Sequence, residues 1–295
     1  MIALRAFGAT GISVSAVGLG CAAIGDPAMS EDEAARLLNG ALDLGIALFD
    51  TARSYGLSEE RIGRHLRARR EEFAVSTKVG YGAEGFEDWT GPAVTAGVDR
   101  ALGVLRTDAI EIAHLHSCPV DVLERGDVVA ALVGARDAGK IRVAAYSGDG
   151  AALRWAVASG RFGGVQASVN ICDQAAVAGA ISDAAAKGMG VIAKRPLANA
   201  PWRAGPPPAD DAAAAAYRTR WAEFDVDLGG VPPEEAALRF AAFTPGVSAA
   251  IVGTGSLPHL ERNVAAVARG PLPPETDRAI RDWFHRRGAA WPAMI

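Results

Sequence analysis

The sequence predicts an α/β fold, a closed (β/α)8 TIM barrel, and two observations support this prediction. Short apolar runs alternate with helix-length amphipathic segments from residue 16 to residue 269, the pattern of parallel strands joined by helices. Eight such strand-helix units occur in the chain, whereas an open doubly wound sheet usually has fewer strands. The length of 295 residues is compatible with one barrel of this kind, which runs to about 250 residues, or with two small domains.

The predicted strands are short and apolar, and they begin near residues 16, 46, 73, 109, 141, 164, 190 and 247. Ser30 and Glu33, ahead of the first predicted helix, have the spacing of a capping box. Thr10 and Gly11 separate two short β-prone pieces before the first barrel strand. We therefore expect an N-terminal β-hairpin that closes the bottom of the barrel.

The segment from Leu197 to Gly230 follows the seventh predicted strand and is too long for a simple connection. It opens with the stretch APWRAGPPPADD, so we predict a long loop after strand 7 that borders the active site. The stretch DRAIRDWFHRRG predicts a helical tail. We find no domain linker, and residues 1–295 are expected to form a single domain.

The composition excludes several classes of protein. Half of the residues are hydrophobic and 22% are charged, which supplies a large core and excludes a disordered chain. The net charge of −4 argues against a nucleic-acid partner. No apolar run is long enough to span a membrane and the first residues lack a signal-peptide pattern, so we expect a cytoplasmic protein. The three cysteines are an odd number at wide spacings, which fits reduced thiols better than a disulfide framework or a zinc cluster. No pattern in the sequence indicates an oligomeric state.

Four chemically reactive residues stand at or just after successive strand ends. Asp50 ends the second predicted strand, Tyr55 follows it, Lys78 ends the third and His116 ends the fourth. The carboxyl ends of barrel strands carry the active site, and neighbouring strands lie about 4.8 Å apart, so these side chains can converge. A lysine ammonium would stabilise the tyrosine phenolate, Asp50 would hold the ammonium, and His116 would hydrogen-bond a carbonyl oxygen.

Each of these residues also has a structural interpretation. Asp50 alone could cap a helix, and Tyr55 alone could be a half-buried surface ring. Lys78 is harder to explain structurally, because a lysine at the end of an apolar strand needs a partner. His114 and His116 share one face of their strand, so one of the two is a candidate core residue.

The chain resembles the aldo-keto reductases along nearly its whole length. The matching stretches, in order, are FGATGISVSAVGLG, FDTARSYGLSEERIG, STK, TDAIEIAHLHS, GKIRVAAYSG, GVQASVN, IAKRPL and IVGTGSLPHLERN. The resemblance implies a barrel that binds a nicotinamide cofactor without a Rossmann fold and reduces aldehydes and ketones to alcohols. The family's catalytic tetrad falls on Asp50, Tyr55, Lys78 and His116. His116 matches better than His114 because of its spacing from Asp108 and the Ser-Cys-Pro that follows.

The resemblance also implies a set of cofactor contacts. Ser147 and Gln166 are expected to bind the nicotinamide carboxamide, and Asn263 the adenine. Backbone near four further residues is expected to line the dinucleotide: Gly20, Leu197, Gly253 and Thr254.

The chain departs from the family pattern at several of these positions. Gly148 replaces a usual asparagine, and Lys194 stands where an aromatic ring often stacks on the nicotinamide. Gly253 and His259 stand where cations for the 2′-phosphate are common, and Arg262, one turn beyond His259, could substitute. We expect NADP(H) as the cofactor with NAD(H) as the alternative, and a small carbonyl compound as the substrate.

Two other functions are compatible with part of the sequence. The pair His114 and His116 could chelate zinc in a metal-dependent hydrolase, but only His259 and His285 follow, both in helical stretches. We therefore expect no metal. The other alternative is a barrel that binds the nucleotide as a sensor or scaffold with little turnover. An intact tetrad argues against lost chemistry.

Overall fold

The computed structural model describes residues 2–206, 211–288, 290–292 and 294. Two short strands, β1 (Leu4–Ala6) and β2 (Ser13–Ser15), precede the barrel. The barrel strands are β3 (Val17–Gly20), β4 (Leu48–Asp50), β5 (Ala74–Val79), β6 (Ile110–His116), β7 (Ile141–Ser147), β8 (Gly164–Ser168), β9 (Gly190–Lys194) and β10 (Ala249–Gly253). These eight strands are parallel to their neighbours, and β10 pairs with both β3 and β9, which closes the barrel. The predicted fold class is therefore confirmed.

The predicted N-terminal hairpin is present and plugs the bottom of the barrel. β1 and β2 pair antiparallel, with Leu4 opposite Ser15. Phe7, in the turn region between them, is fully buried and packs with the residues that point into the barrel. A Cβ at Gly190 would lie 2.4 Å from the Phe7 ring, so glycine at the start of β9 leaves the space that the ring fills.

The helices surround the barrel. They are α1 (Glu31–Asp43), α2 (Ser58–His65), α3 (Gly91–Leu105), α4 (Val120–Arg125), α5 (Asp127–Asp137), α6 (Gly150–Ser159), α7 (Ser182–Ala186), α8 (Ala212–Ala222), α9 (Pro233–Phe243), α10 (Leu257–Ala268) and α11 (Pro274–Arg287). The capping box at Ser30 and Glu33 is confirmed at the start of α1, and α11 confirms the predicted helical tail. None of the described helices combines the length and apolar character needed to cross a bilayer.

The connection after β9 differs from the simple long loop that the sequence predicts. It contains the helix α8, and the helix α9 follows only at Pro233. Residues 207–210 of the Pro-rich stretch lie outside the described residues. Trp202 and Trp221 pack edge to face within the segment, with ring centroids 5.5 Å apart. Aromatic packing therefore organises part of a segment whose Pro and Gly content predicts only a loop.

Candidate active site

An ion pair between Asp50 and Lys78 lies at the carboxyl ends of β4 and β5. Lys78 Nζ donates to Asp50 Oδ2 at 2.6 Å and to the Thr51 carbonyl at 2.8 Å. The two side chains are each 2% exposed. Burial is the largest influence on the pKa of Lys78 and lowers it, but the Asp50 carboxylate and Tyr55 together more than offset burial, so the pKa of Lys78 is raised. Lys78 is therefore a buried ammonium, and Asp50 does not cap a helix.

A polar network below the ion pair fixes the Asp50 carboxylate. Ser76 Oγ and Gln166 Nε2 both donate to Asp50 Oδ1, each at 2.8 Å. Ser147 Oγ in turn donates to Gln166 Oε1 at 2.7 Å. His114 Nε2 lies 3.0 Å from Ser76 Oγ, inside this network. The network therefore joins the strand ends of β4, β5, β6, β7 and β8 around one carboxylate.

Tyr55 lies over the ion pair, on the loop between β4 and α2. Lys78 Nζ is 4.9 Å from the centre of the Tyr55 ring. Gly25 allows this loop to pack closely, because a Cβ at that position would lie 1.7 Å from the Tyr55 carbonyl oxygen. Burial raises the pKa of Tyr55, and the Lys78 ammonium lowers it only in part. The expected influence of Lys78 is present, but it does not bring the pKa of Tyr55 below its ordinary value.

His116 completes the group at the end of β6, while His114 lies deeper. The His116 ring packs edge to face on Tyr55, with centroids 6.2 Å apart. Burial lowers the pKa of His116 to about 3, and Lys78 adds to the effect, so the imidazole is neutral at ordinary pH. His114 is fully buried. His116, and not His114, lines the inner cavity described below.

An inner cavity of about 470 Å³ opens above these residues. The four predicted catalytic residues line this cavity: Asp50, Tyr55, Lys78 and His116. Predicted cofactor residues line it as well: Gly20, Ser147, Gln166, Lys194, Leu197 and Gly253. The structure therefore brings the predicted catalytic residues together with most of the predicted cofactor residues.

An outer cavity of about 820 Å³ adjoins the inner one. It contains the remaining predicted cofactor residues: Thr254, His259, Arg262 and Asn263. Leu197, Arg203 and Gly253 line both cavities. The two cavities thus share a passage between β10 and the connection that follows β9.

Lys194 is paired with an acidic residue that the sequence analysis did not single out. Its Nζ lies 2.9 Å from Asp149 Oδ2, with the two side chains 15% and 2% exposed. Asp149 also accepts from the Ser168 backbone nitrogen at 2.8 Å. Burial lowers the pKa of Lys194, and Asp149 opposes this shift. The lysine side of the pair lines the inner cavity.

Several residues that line the cavities, or that contact their lining, were missed by the sequence analysis. Arg203 lines both cavities. Arg269, which forms an ion pair with Glu235, lines the outer one. Tyr81 contacts His116 from the loop after β5. Arginines in a loop and just after a helix carry no motif of their own, so only the position of Arg203 after the IAKRPL stretch could have drawn attention to it.

The zinc interpretation needs further ligands beside His114 and His116. Within the described part of the chain, no three His, Cys, Asp or Glu side chains are arranged to hold a metal ion. His116 Nδ1 instead lies 2.9 Å from the Tyr81 hydroxyl. The two histidines thus contact different protein groups.

Comparisons with known proteins identify the family. The model of the Aldo/keto reductase family matches residues 16–283. An L-galactose dehydrogenase of Arabidopsis thaliana is 31% identical over 284 residues, which cover 90% of this chain and 88% of that protein. A crystal structure of a putative aldo-keto reductase from Pseudomonas aeruginosa is 32% identical, with a TM-score of 0.73 over 90% of this chain and 94% of that one.

A third comparison supports the fold alone. The holo form of an aldo-keto reductase from Bacillus halodurans superposes with a TM-score of 0.82 over 96% of both chains, at 24% identity. The hydrolase alternative is not favoured by any of these relatives, which are reductases and dehydrogenases. The match across most of the chain shows that this protein belongs to the aldo-keto reductase family and is an oxidoreductase that acts on carbonyl compounds.

Proposed function

We propose that this enzyme reduces an aldehyde or ketone reversibly, with NAD(P)H as the hydride donor and Tyr55 as the proton donor. The observation that supports this most directly is the buried Lys78 ammonium, held by Asp50 and placed 4.9 Å from the Tyr55 ring. An unpaired buried charge is unfavourable, and even a buried ion pair is often no more stabilising than apolar residues of the same volume, so stability alone does not explain this lysine. Here the ammonium is paired and also adjoins the phenol.

The electrostatics of Tyr55 suit a proton donor. Because burial raises its pKa, Tyr55 is a neutral phenol at ordinary pH and carries the proton that an alkoxide needs. When the proton leaves, the phenolate gains stabilisation from the neighbouring Lys78 ammonium. Asp50 keeps the Lys78 ammonium charged and oriented, because the Asp50 carboxylate accepts a hydrogen bond from Lys78 Nζ at 2.6 Å.

His116 is proposed to orient the carbonyl group. As a neutral imidazole it carries one N–H, which can donate to the carbonyl oxygen. Its Nε2 has no hydrogen-bond partner within the described ranges, whereas its Nδ1 lies 2.9 Å from Tyr81. Nε2 is therefore the nitrogen available to the substrate.

A nicotinamide cofactor is used by this family, and the two joined cavities fit one. A Cβ at Gly253 would meet no protein atom within 4 Å, so a side chain there would project into the shared passage. Ser147 and Gln166 offer hydroxyl and amide groups to a carboxamide, and Arg203, Arg262 and Arg269 offer cations to phosphates. When bound, the cofactor would supply the hydride to the carbonyl carbon. We propose NADP(H), with NAD(H) as the alternative.

The proposed function is tested by a screen of carbonyl compounds with both reduced cofactors, followed by loss of nicotinamide absorbance. The screen should include aldoses, because one relative is named an L-galactose dehydrogenase. A parallel titration of nucleotide binding separates an enzyme from a sensor. Tight binding with negligible turnover on all substrates would support the sensor or scaffold alternative instead.

Cofactor preference gives a further prediction. His259→Ala and Arg262→Ala should each weaken NADPH binding by about tenfold, because a hydrogen bond to a charged group contributes about 1.5–3 kcal/mol and the exposed positions favour the lower end. NADH binding should change little, since it lacks the 2′-phosphate. Dissociation constants for both cofactors measure the effect. Arg142→Ala, an exposed arginine at the start of β7, is the matched control.

The 2′-phosphate itself titrates near pH 6, so the dissociation constants are compared at one pH well above that value. A large NADPH preference that survives both alanine substitutions would show that the phosphate is held elsewhere, with Arg203 and Arg269 next to be tested.

A further inference from the structure

Tyr81 lies against His116 in a way that the tetrad does not require. Its hydroxyl is 2.9 Å from His116 Nδ1, and the two rings stack with centroids 5.4 Å apart and planes inclined by 27°. The contact with the Tyr81 hydroxyl fixes one nitrogen of the imidazole, and the stacking on the Tyr81 ring fixes the plane of the imidazole. Such a double contact restrains the ring more than a hydrogen bond alone.

The loop that carries Tyr81 is itself held in place. The Trp89 ring packs on Tyr81 at 5.4 Å, and the Trp89 backbone nitrogen donates to the Gly80 carbonyl at 2.7 Å. Arg53 Nε donates to the Gly82 carbonyl at 2.6 Å. These contacts tie the residues on both sides of Tyr81 to the rim of the barrel. Tyr81 is therefore a fixed partner for His116.

The tautomer of His116 decides whether it can act on a carbonyl. A neutral imidazole has one N–H and one lone pair, and a carbonyl oxygen offers only lone pairs. The nitrogen that faces the substrate must therefore carry the proton. Two arrangements fit the distances, because the Tyr81 hydroxyl can either donate to Nδ1 or accept from it, and only the first leaves the proton on Nε2.

The Tyr81 hydroxyl has two neighbours, His116 Nδ1 at 2.9 Å and Ser54 Oγ at 3.2 Å. Its single proton can go to either one, and an imidazole nitrogen is a stronger acceptor than a serine hydroxyl. Donation to Nδ1 leaves the proton of the imidazole on Nε2, and the Ser54 hydroxyl can then donate to the Tyr81 oxygen. The geometry points to Tyr81 as a positioning residue that, with Ser54, holds His116 in the Nε2–H tautomer needed to hydrogen-bond a carbonyl substrate.

The catalytic consequence of this inference rests on the proposed function. The first measurement, of the His116 tautomer, is independent of that function. Two-bond nitrogen–proton correlation spectra of histidine-labelled, cofactor-free protein distinguish protonated from unprotonated ring nitrogens. The chain has five histidines, and a His116→Gln variant identifies the relevant signal. Wild-type His116 should show a protonated Nε2, and Tyr81→Phe, which keeps the ring but removes the hydroxyl, should show a mixture of tautomers.

The second measurement is kinetic. Tyr81→Phe should lower kcat for carbonyl reduction by about three- to tenfold, the value of one neutral hydrogen bond, with the cofactor Kd unchanged. Ser54→Ala should cause a smaller shift in the same direction. Tyr146→Phe is the matched control, because it deletes a hydroxyl that donates to the Cys118 carbonyl at 3.1 Å and should alter neither the His116 spectrum nor kcat.

Thermal unfolding checks that each variant is folded. A protonated Nδ1 in wild-type His116, a spectrum that Tyr81→Phe leaves unchanged, or a kcat that it leaves unchanged would each overturn the inference. If no carbonyl compound is reduced by the wild type, the proposed function fails. The spectra would then still decide whether Tyr81 sets the tautomer.

Discussion

Tyr55→Phe should slow carbonyl reduction by at least about 10²-fold, since general acid catalysis typically contributes about 10²–10⁴-fold. The substitution removes one hydroxyl and leaves the ring in place over Lys78 and against His116. The ion pair of Asp50 and Lys78 does not depend on that hydroxyl, so cofactor affinity should stay close to that of the wild type. Single-turnover rates of nicotinamide oxidation measure the chemical step, and titration gives the affinity.

Tyr217→Phe is the control for the loss of a buried hydroxyl. Its hydroxyl donates to Asp173 at 3.1 Å, and the residue does not line the inner cavity. A Tyr55→Phe enzyme that retains more than about a tenth of the wild-type rate in a chemistry-limited assay would show that the proton comes from another group. In the wild type the raised pKa of Tyr55 should keep the reduction rate from falling through neutral pH, because the phenol stays protonated.

Lys78→Met should abolish carbonyl reduction and also destabilise the fold. The substitution leaves the buried Asp50 carboxylate without its counter-charge. Removing one partner of a buried ion pair costs about 3–5 kcal/mol, and the donors Ser76 and Gln166 that remain on Asp50 place the expected loss towards the lower end. Urea titration followed by linear extrapolation measures the free energy of unfolding.

Two further variants test whether the loss comes from an unpaired buried charge. Asp50→Asn should cost less, because the Lys78 ammonium keeps both acceptors, the asparagine oxygen and the Thr51 carbonyl. Lys140→Met removes a lysine whose pair with Asp99 is half-exposed, and should cost no more than about 1 kcal/mol. If Lys78→Met is both stable and active, Lys78 has no role in the chemistry and the tetrad interpretation is wrong.

The barrel and the meeting of its strand ends followed from chain order. Parallel strands joined by helices place successive carboxyl ends next to each other, so Asp50, Lys78 and His116 had to lie near one another once eight units were recognised. The hairpin plug was also predictable, because apolar residues flank a turn ahead of the first barrel strand. These features depend on local pattern and connectivity, both of which a sequence displays.

The connection after β9 was predicted less well, for a physical reason. The stretch APWRAGPPPADD indicates a break in regular structure, but α8 lies beyond it and is packed through Trp221 against Trp202 and Phe224. Whether an alanine-rich segment forms a stable helix depends on the residues that pack against it in the fold. The local sequence does not show which residues these are.

The sequence by itself determined the family, the barrel and the four residues that we place in the chemistry. The tertiary structure decided the surroundings of those residues. Burial raises the pKa of Tyr55 despite the nearby Lys78. Asp149 forms an ion pair with Lys194, and the Tyr81 hydroxyl contacts His116 Nδ1. Each of these effects joins groups from different loops and strand ends. Desolvation and hydrogen bonding depend on distance in space, which the order of residues along the chain does not specify.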